Sequence, residues 1–447
     1  MPAMHIITKP LVRAATAACA ALLFFGTSAQ ADTMTAEDFL PVEAAQARLG
    51  QLLFYDKIMS GNLNISCATC HHHDLNSADG VSLGLGEGGY GLGPDRLSGL
   101  VGNTRVAERI PRNAPALWNI GHKDRRVLFH DGRVERDASQ PSGFKTPAKG
   151  QTPLGLNSIV AAQALFPPTS AAEMKGQPGD NDVADAFARS FTEGWETIAA
   201  RVRSKPAYET AFRIAYPHVK SPEDITIVEI VNAIAAFEMS EWQSFDSPYD
   251  AYVNAGKPLD PLAEKGRQLF FGEAGCSSCH SGPLFTDQNF YAAGVPQFGP
   301  GRKFDGNDLP RDMGRMETTR DPADAYKFRV PSLRNVALTG PYGHNGAYTD
   351  LRDMIRHMCD PVTTRANWTP GMARLPQVPW LDKDDFTIVS LADEQERQIS
   401  KLDITPVEMV EADIDALEAF LNALTGETAM QRPLGRPDRV PSGLPVD

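Results

Sequence analysis

The sequence predicts a mainly α chain in two domains with long coil connections. Three observations lead there. The pentapeptide Cys-X-X-Cys-His occurs twice, as Cys67-Ala68-Thr69-Cys70-His71 and Cys276-Ser277-Ser278-Cys279-His280. Each copy follows a stretch with helical spacing of apolar positions, over residues 43–55 and 262–271. Alternating, strand-like runs are scarce, whereas segments rich in Gly and Pro are long. The pentapeptide reads as a c-type haem attachment site: two thiols add across the vinyl groups of one haem, and the next His becomes its proximal axial ligand. Two copies imply two covalently bound haem c groups, one per cytochrome c-like haem domain. A chain of 447 residues exceeds one small core and suits this division.

The N-terminus agrees with that chemistry. Lys9 and Arg13 precede an apolar run over residues 14–26, and Ala29-Gln30-Ala31 fits a signal-peptidase site. The run is short of the roughly 20 residues that a membrane span needs. Residues 1–31 are therefore expected to be a cleaved signal peptide, followed by an N-terminal haem domain over 32–245 and a C-terminal haem domain over 246–447. Covalent haem attachment takes place outside the cytoplasm, so the expected compartment is the periplasm, with no membrane span after cleavage. The formal charge is −13. Loss of the leader, which carries two cations and no acid, makes it more negative, which disfavours nucleic acid and suits a basic redox partner. Cys19 leaves with the leader, four Cys belong to the motifs, and Cys359 remains as a buried small hydrophobe.

Further helices are expected at 183–202, 206–214, 222–240, 348–358 and 407–425. Two have apparent start signals, Ser221-Pro222-Glu223-Asp224 and Thr405-Pro406-Val407-Glu408. Residues 79–115 read as irregular loop. The tail beyond Gly426 reads as an extended arm or a frayed end.

Longer blocks carry a resemblance. Leu49-Gly50-Gln51-Leu52-Leu53-Phe54, Ser60-Gly61-Asn62, Arg112-Asn113-Ala114-Pro115, Asp131-Gly132-Arg133, Phe285-Thr286-Asp287, Pro331-Ser332-Leu333-Arg334-Asn335-Val336 and Leu338-Thr339-Gly340-Pro341-Tyr342-Gly343-His344 occur in this order. Together they resemble the bacterial di-haem cytochrome c peroxidases, a superfamily that includes MauG, which oxidises residues of a partner protein. The resemblance implies His71 and His280 as proximal ligands. It implies Met358, fourteen residues after His344, as sixth ligand of the C-terminal haem, with Met354 and His357 as nearby decoys. A thioether ligand raises the potential of a haem.

The N-terminal haem is then the reactive one. Many members place a distal His where this chain reads Leu85, within Ser82-Leu83-Gly84-Leu85-Gly86. Leu85 cannot ligate iron, so that haem is expected to be open without reductive activation. His72 and His73 are expected to point to solvent. The resemblance implies Glu173 as distal acid–base and Gln163 as its companion; a carboxylate within reach of bound peroxide moves its protons. Where members carry an inter-haem Trp, this chain has His130, and Trp118 becomes a candidate wire. The resemblance further implies one Ca²⁺ held by Asn113, Thr339 and Pro341, an all-oxygen set that suits that ion. It also implies homodimerisation.

Three functions compete. A peroxidase would take H₂O₂ and electrons from a small cytochrome c or cupredoxin. A MauG-like oxidase would use peroxide to oxidise Trp or Tyr of a protein substrate, with Trp195 and Trp242 as exit points. A non-catalytic carrier would keep both haems six-coordinate.

Overall fold

The computed structural model describes Met1 and residues 33–302 and 309–447, so the expected signal peptide lies outside the described residues. In chain order the main helices are α1 (Ala44–Tyr55), α2 (Ile159–Ala164), α3 (Asp182–Arg189), α4 (Phe191–Arg203), α5 (Pro206–Ala215), α6 (Ile227–Glu241), α7 (Pro261–Phe271), α8 (Leu351–Cys359) and α9 (Glu411–Asn422). Among the described residues, strands form only short antiparallel ladders of two or three strands. These are β1 (Gly89–Tyr90) with β2 (Leu97–Ser98), β3 (Val127–Leu128), β4 (Val134–Arg136) and β5 (Phe144–Lys145) in that spatial order, and β6 (Phe290–Tyr291) with β7 (Phe328–Arg329). The fold is mainly α, as the sequence predicts.

Two crossed helix pairs organise the chain. α1 crosses α6 at Gly50, where a Cβ would overlap the Ala233 carbonyl and lie 2.9 Å from the Phe237 Cβ. α7 crosses α9 at Gly266, where a Cβ would overlap the Ala416 carbonyl and lie 2.9 Å from the Phe420 Cβ. Glycine permits this approach because it has no side chain to hold the backbones apart. Around the first crossing, Phe54, Tyr208, Phe237 and Trp242 are fully buried in the larger apolar cluster; around the second, Tyr249, Phe270, Phe285 and Phe420 form another. Each buried aromatic or aliphatic side chain contributes about 1.5–3 kcal/mol. Ala429 and Val440 of the C-terminal arm return to the first cluster. The Glu241 carboxylate accepts from Leu434 N and Gly435 N (2.9 Å each), and Asp56 accepts from Ser442 Oγ at 2.6 Å. The arm is therefore docked, not frayed.

Several expected boundaries move. The helix expected at 183–202 is two, because Ser190 is extended (φ −163°, ψ 160°) and caps the second through Glu193 N at 3.1 Å. Ser190-Phe191-Thr192-Glu193 was the legible cap signal within that run. The Ser221 motif closes only a 3₁₀ turn, and α6 starts after Thr226, whose hydroxyl caps Val228 N at 3.1 Å while Glu229 reaches back to Thr226 N. Thr405-Pro406 starts no helix. Val407 N donates to Cys359 O at 2.8 Å, which ties this segment, extended, to the end of α8, and α9 begins at Glu411. Asp350 caps α8 through Arg352 N at 2.7 Å, three residues later than expected. Trp195 and Trp242 are core residues, each at most 2% exposed, and offer no exit at the surface.

Gly50→Ala and Gly266→Ala each force a helix pair apart, so each is expected to cost about 1–3 kcal/mol in denaturant unfolding. Gly150→Ala, which meets open space, serves as the control and leaves the midpoint unchanged.

Candidate active site

Both pentapeptides face one cavity of about 830 Å³, lined by residues of both halves of the chain. The first forms a single helical turn, with His71 N donating to Cys67 O at 3.0 Å; Ser66 and Thr69 cap it reciprocally. The second makes the same closure, His280 N to Cys276 O at 2.9 Å. This turn brings two sulfurs and one imidazole to the same side. His71 Nδ1–H donates to Ser77 O (3.0 Å), and His280 Nδ1–H donates to Phe285 O (3.1 Å). A carbonyl only accepts, so each ring keeps its proton on Nδ1 and turns the Nε2 lone pair free, the arrangement that orients a metal-ligating His. Both acceptor carbonyls belong to non-Gly residues in the left-handed region, Ser77 (φ +65°) and Phe285 (φ +52°). That conformation costs about 1–2 kcal/mol per residue.

Burial pushes all four motif thiols up, Cys70 and Cys276 to about 12. They are neutral S–H groups in the wall of the cavity, the form that burial favours. The halves differ in exposure. Ala68 and Thr69 of the first motif are buried, whereas Ser278 of the second is exposed.

On the C-terminal side, Met354 and Met358 both line the cavity from one face of α8. Met354 packs against the apolar cluster of Val295 and Phe298; Met358 belongs to none of the apolar clusters among the described residues. His357 is fully engaged, with Nε2 to Ala293 O at 2.9 Å and Nδ1 to Tyr348 Oη at 2.9 Å. It is a satisfied core histidine.

On the N-terminal side, Gln163 of α2 and Glu173 line the cavity. Glu173 sits in a single π turn, Ala171–Lys175, a form that recurs at functional sites. The Gly-rich loop holds that turn: Glu87 N donates to Ala172 O (3.0 Å), and a Cβ on Gly86 would lie 2.7 Å from Glu173 O. The loop in turn is shaped by Arg96, whose buried guanidinium donates to the carbonyls of Leu85, Gly86, Gly89 and Gly91. Leu85 faces away, into an apolar cluster with Val106 and Val378. His72 and His73 do not line the cavity, and neither points freely to solvent. His72 is buried with Nε2 3.4 Å from Asp447 O, and His73 Nδ1 accepts from Tyr55 Oη–H at 3.1 Å. Burial raises the Glu173 carboxyl, against the pull of Arg133, Arg302 and Arg112.

Between the halves, His130 Nε2–H donates to Asn113 O at 3.0 Å, and Asn113 N donates to His344 O at 2.9 Å. Burial, with Arg112 beside it, pushes His130 down to about 4, so the ring is neutral. His344 lies flat on Phe328, ring centroids 3.7 Å apart. Asn113, Thr339 and Pro341 all line the cavity, and Trp118 lines it while 4% exposed.

Sequence reasoning missed Arg125, Arg329 and Glu238. Arg125 and Arg329 line the cavity, and burial pushes them down to about 9 and about 10. Arg125 Nε is buried without a partner among the described residues. Buried guanidiniums lacking a carboxylate call for an anion, and haem propionates are anions delivered to this cavity. With the two anchored imidazoles, the donor set fits two c-type haems. Nothing in the sequence distinguishes these arginines from surface ones. Glu238 had a signal: a charge inside the apolar run of α6.

Comparison with known proteins agrees. Residues 44–257 match the family described as di-haem cytochrome c peroxidase. The chain is 29% identical over 412 residues to the methylamine utilization protein MauG of Paracoccus denitrificans, covering 88% of this chain and 91% of that one. It is 29% identical over 320 residues to the cytochrome c551 peroxidase of Pseudomonas aeruginosa, covering 71% and 72%. Among solved structures it resembles a MauG-like protein associated with microbial copper homeostasis, with TM-score 0.59 and 25% identity over 93% of this chain and 99% of that one. A diheme peroxidase of Burkholderia thailandensis shares the fold, with TM-score 0.57 at 22% identity, covering 89% and 90%. Paired haem motifs, anchored imidazoles and this likeness together make the chain an oxidoreductase of the di-haem cytochrome c peroxidase/MauG superfamily.

Proposed function

We propose that the chain is a periplasmic peroxidase that reduces H₂O₂ at the N-terminal haem with electrons relayed through the C-terminal haem. The observation that carries this reading is Glu173, aimed with Gln163 into the N-terminal side of the cavity, where no histidine takes the place of Leu85. Bound haem supplies an iron that takes peroxide where its sixth position is open and transfers electrons where that position is filled. Glu173 takes the proton from one peroxide oxygen and returns it to the other, which leaves as water. Burial raises its proton affinity, which favours its holding the proton between the two transfers. Gln163 orients the bound molecule through its amide. Arg112, Arg133 and Arg302 gather on Asp131 beside the same wall and hold negative charge there.

The exposed Ser278 of the second motif and the net negative charge of the chain favour electron entry at the C-terminal haem from a basic cytochrome c or cupredoxin. Met358, which belongs to none of the apolar clusters among the described residues, would hold the iron there through its thioether sulfur. Asn113 turns its Nδ2 to Val81 O (2.8 Å), so its Oδ1 would be available, with the carbonyls of Thr339 and Pro341, to hold a Ca²⁺. A MauG-like protein oxidase is the second reading. It is favoured by the longer alignment, which covers 88% of this chain against 71% for the peroxidase. A non-catalytic carrier has no use for the Gln163–Glu173 pair.

Adding stoichiometric H₂O₂ to the as-isolated ferric protein is expected to change a mixed high-spin and low-spin EPR spectrum at once. Two low-spin haems inert to peroxide would sink the reading of an N-terminal haem open without reductive activation, and peroxide turnover without a donor protein but with oxidation of a partner would favour the second. Glu173→Gln is expected to lower kcat/KM for peroxide by roughly 10²–10⁴-fold with the resting spectrum unchanged. In the unsubstituted enzyme the rate falls as pH drops through the raised Glu173 pKa, because the base form is lost; the variant lacks that limb. Met358→Leu converts the C-terminal haem from low to high spin, and Met354→Leu does not.

A further inference from the structure

The two crossed helix pairs correspond residue for residue. Gly50, Ala233 and Phe237 occupy in the first half the places of Gly266, Ala416 and Phe420 in the second. One residue further on stand Glu238 and Leu421, and both line the cavity. The wall position against the C-terminal haem is thus leucine, 7% exposed, and the same position against the N-terminal haem is a carboxyl, 5% exposed. Packing does not require a carboxyl at this place, since its twin is filled by an aliphatic side chain.

Glu238 has no counter-ion among the described residues. Its Oε2 is buried there without a hydrogen-bond partner. The elements packed against α6 carry Arg48 and Tyr55 on α1, Glu193, Glu196, Arg201 and Arg203 on α4, and no charge on α2. Arg48 is exposed, Tyr55 bonds His73, and Arg201 and Arg203 bind backbone carbonyls and the acids Asp182 and Glu196. Nearby, His122 accepts from Asp124 N, and Arg432 stacks on Trp118. On its own helix, Glu229 caps the N-terminus and Glu241 binds the arm. None of these pairs with Glu238, whose proton affinity burial alone raises, to about 8. The group it does influence is Cys67, the haem-bearing residue. The iron-side His71 is governed by burial and Ser77.

We propose that Glu238 is a redox-linked proton site of the N-terminal haem, taking up one proton when that haem takes up one electron. The electron comes from the redox partner and the proton from solvent: the Glu238 carboxylate becomes a carboxylic acid as ferric iron becomes ferrous, and the reverse step releases both. The physical reason is charge. An unscreened carboxyl in an apolar wall holds its proton more tightly when the neighbouring cofactor carries one positive charge fewer. The inference rests on haem attachment at Cys67 and not on the peroxidase reading, and Glu173 is not involved in it.

The test is the midpoint potential of each haem in the holoprotein, by spectroelectrochemical titration from about pH 6 to about pH 9, the range in which a buried carboxyl titrates. The N-terminal potential is expected to fall with rising pH by up to about 59 mV per unit, one proton per electron. Glu238→Gln and Glu238→Leu remove that slope, while Glu173→Gln keeps it and the C-terminal potential does not change. The leucine variant copies the residue already present in the second half, so it folds if either does. An N-terminal slope equal in wild type and both variants overturns the proposal. Redox-difference infrared spectra of the unsubstituted holoprotein give a second reading: a protonated-carboxyl C=O band is expected to appear on reduction, and its absence also overturns the proposal.

Discussion

The close crossing of two helices at a glycine is the constraint on which both halves depend. Where α1 meets α6 at Gly50, and α7 meets α9 at Gly266, backbone touches backbone and the aromatic residue one turn along is fixed beside the contact. From each crossing the chain runs into a Cys-X-X-Cys-His turn. The following loop then brings a left-handed residue round to hold the imidazole by its Nδ1–H. The strained residue is tolerated because the carbonyl it presents fixes both tautomer and direction of the ring. Loss of the crossing would leave the imidazole anchor without a frame.

On that shared frame the halves diverge. The N-terminal half adds the long Gly-rich loop, the π turn bearing Glu173, and Glu238 in the cavity wall; its haem motif is covered. The C-terminal half adds α8, with two methionines toward the cavity, and leaves its motif near solvent. Proton-handling groups thus gather around one cofactor site, and an apolar, thioether-bearing wall around the other. The proposed division into a reacting site and an electron-receiving site rests on that asymmetry more than on either motif.

Local chemistry made the legible part legible. Cys-X-X-Cys-His is contiguous, and α1 and α7 announce themselves by spacing, so the fold class and the two turns that face the cavity are readable in the amino-acid sequence alone. Gln163 and Glu173 were readable only through family resemblance, since their convergence depends on how the 85–89 loop meets residues 171–175. Helix starts failed where a cap signal belonged to something else: Ser221 closes a 3₁₀ turn, and Thr405 lies in a strand-like tether to Cys359. Arg96, Arg125 and Arg329 looked like surface cations. What buries them is a cofactor cavity and a loop wrapped around one guanidinium, and neither leaves a periodic trace in sequence.

The link between the halves bears on which chemistry the frame supports. His130 donates through Nε2 to the Asn113 carbonyl, Asn113 N donates to His344 O, and Arg329 N donates to His130 O. This is a continuous chain of short hydrogen bonds, adequate for passing an electron from one half to the other. Holding a positive charge on the way is a different demand. His130 is kept neutral by burial and by Arg112 beside it, and its proton faces a carbonyl, which cannot accept it outright. A hole on this ring would meet a fixed cation and have no base to relieve it. An indole at the same place would bear the hole without that need. The geometry therefore favours electrons moving one at a time toward the N-terminal site over charge shared between the two, and so favours peroxide reduction over storage of oxidising power for a distant protein substrate.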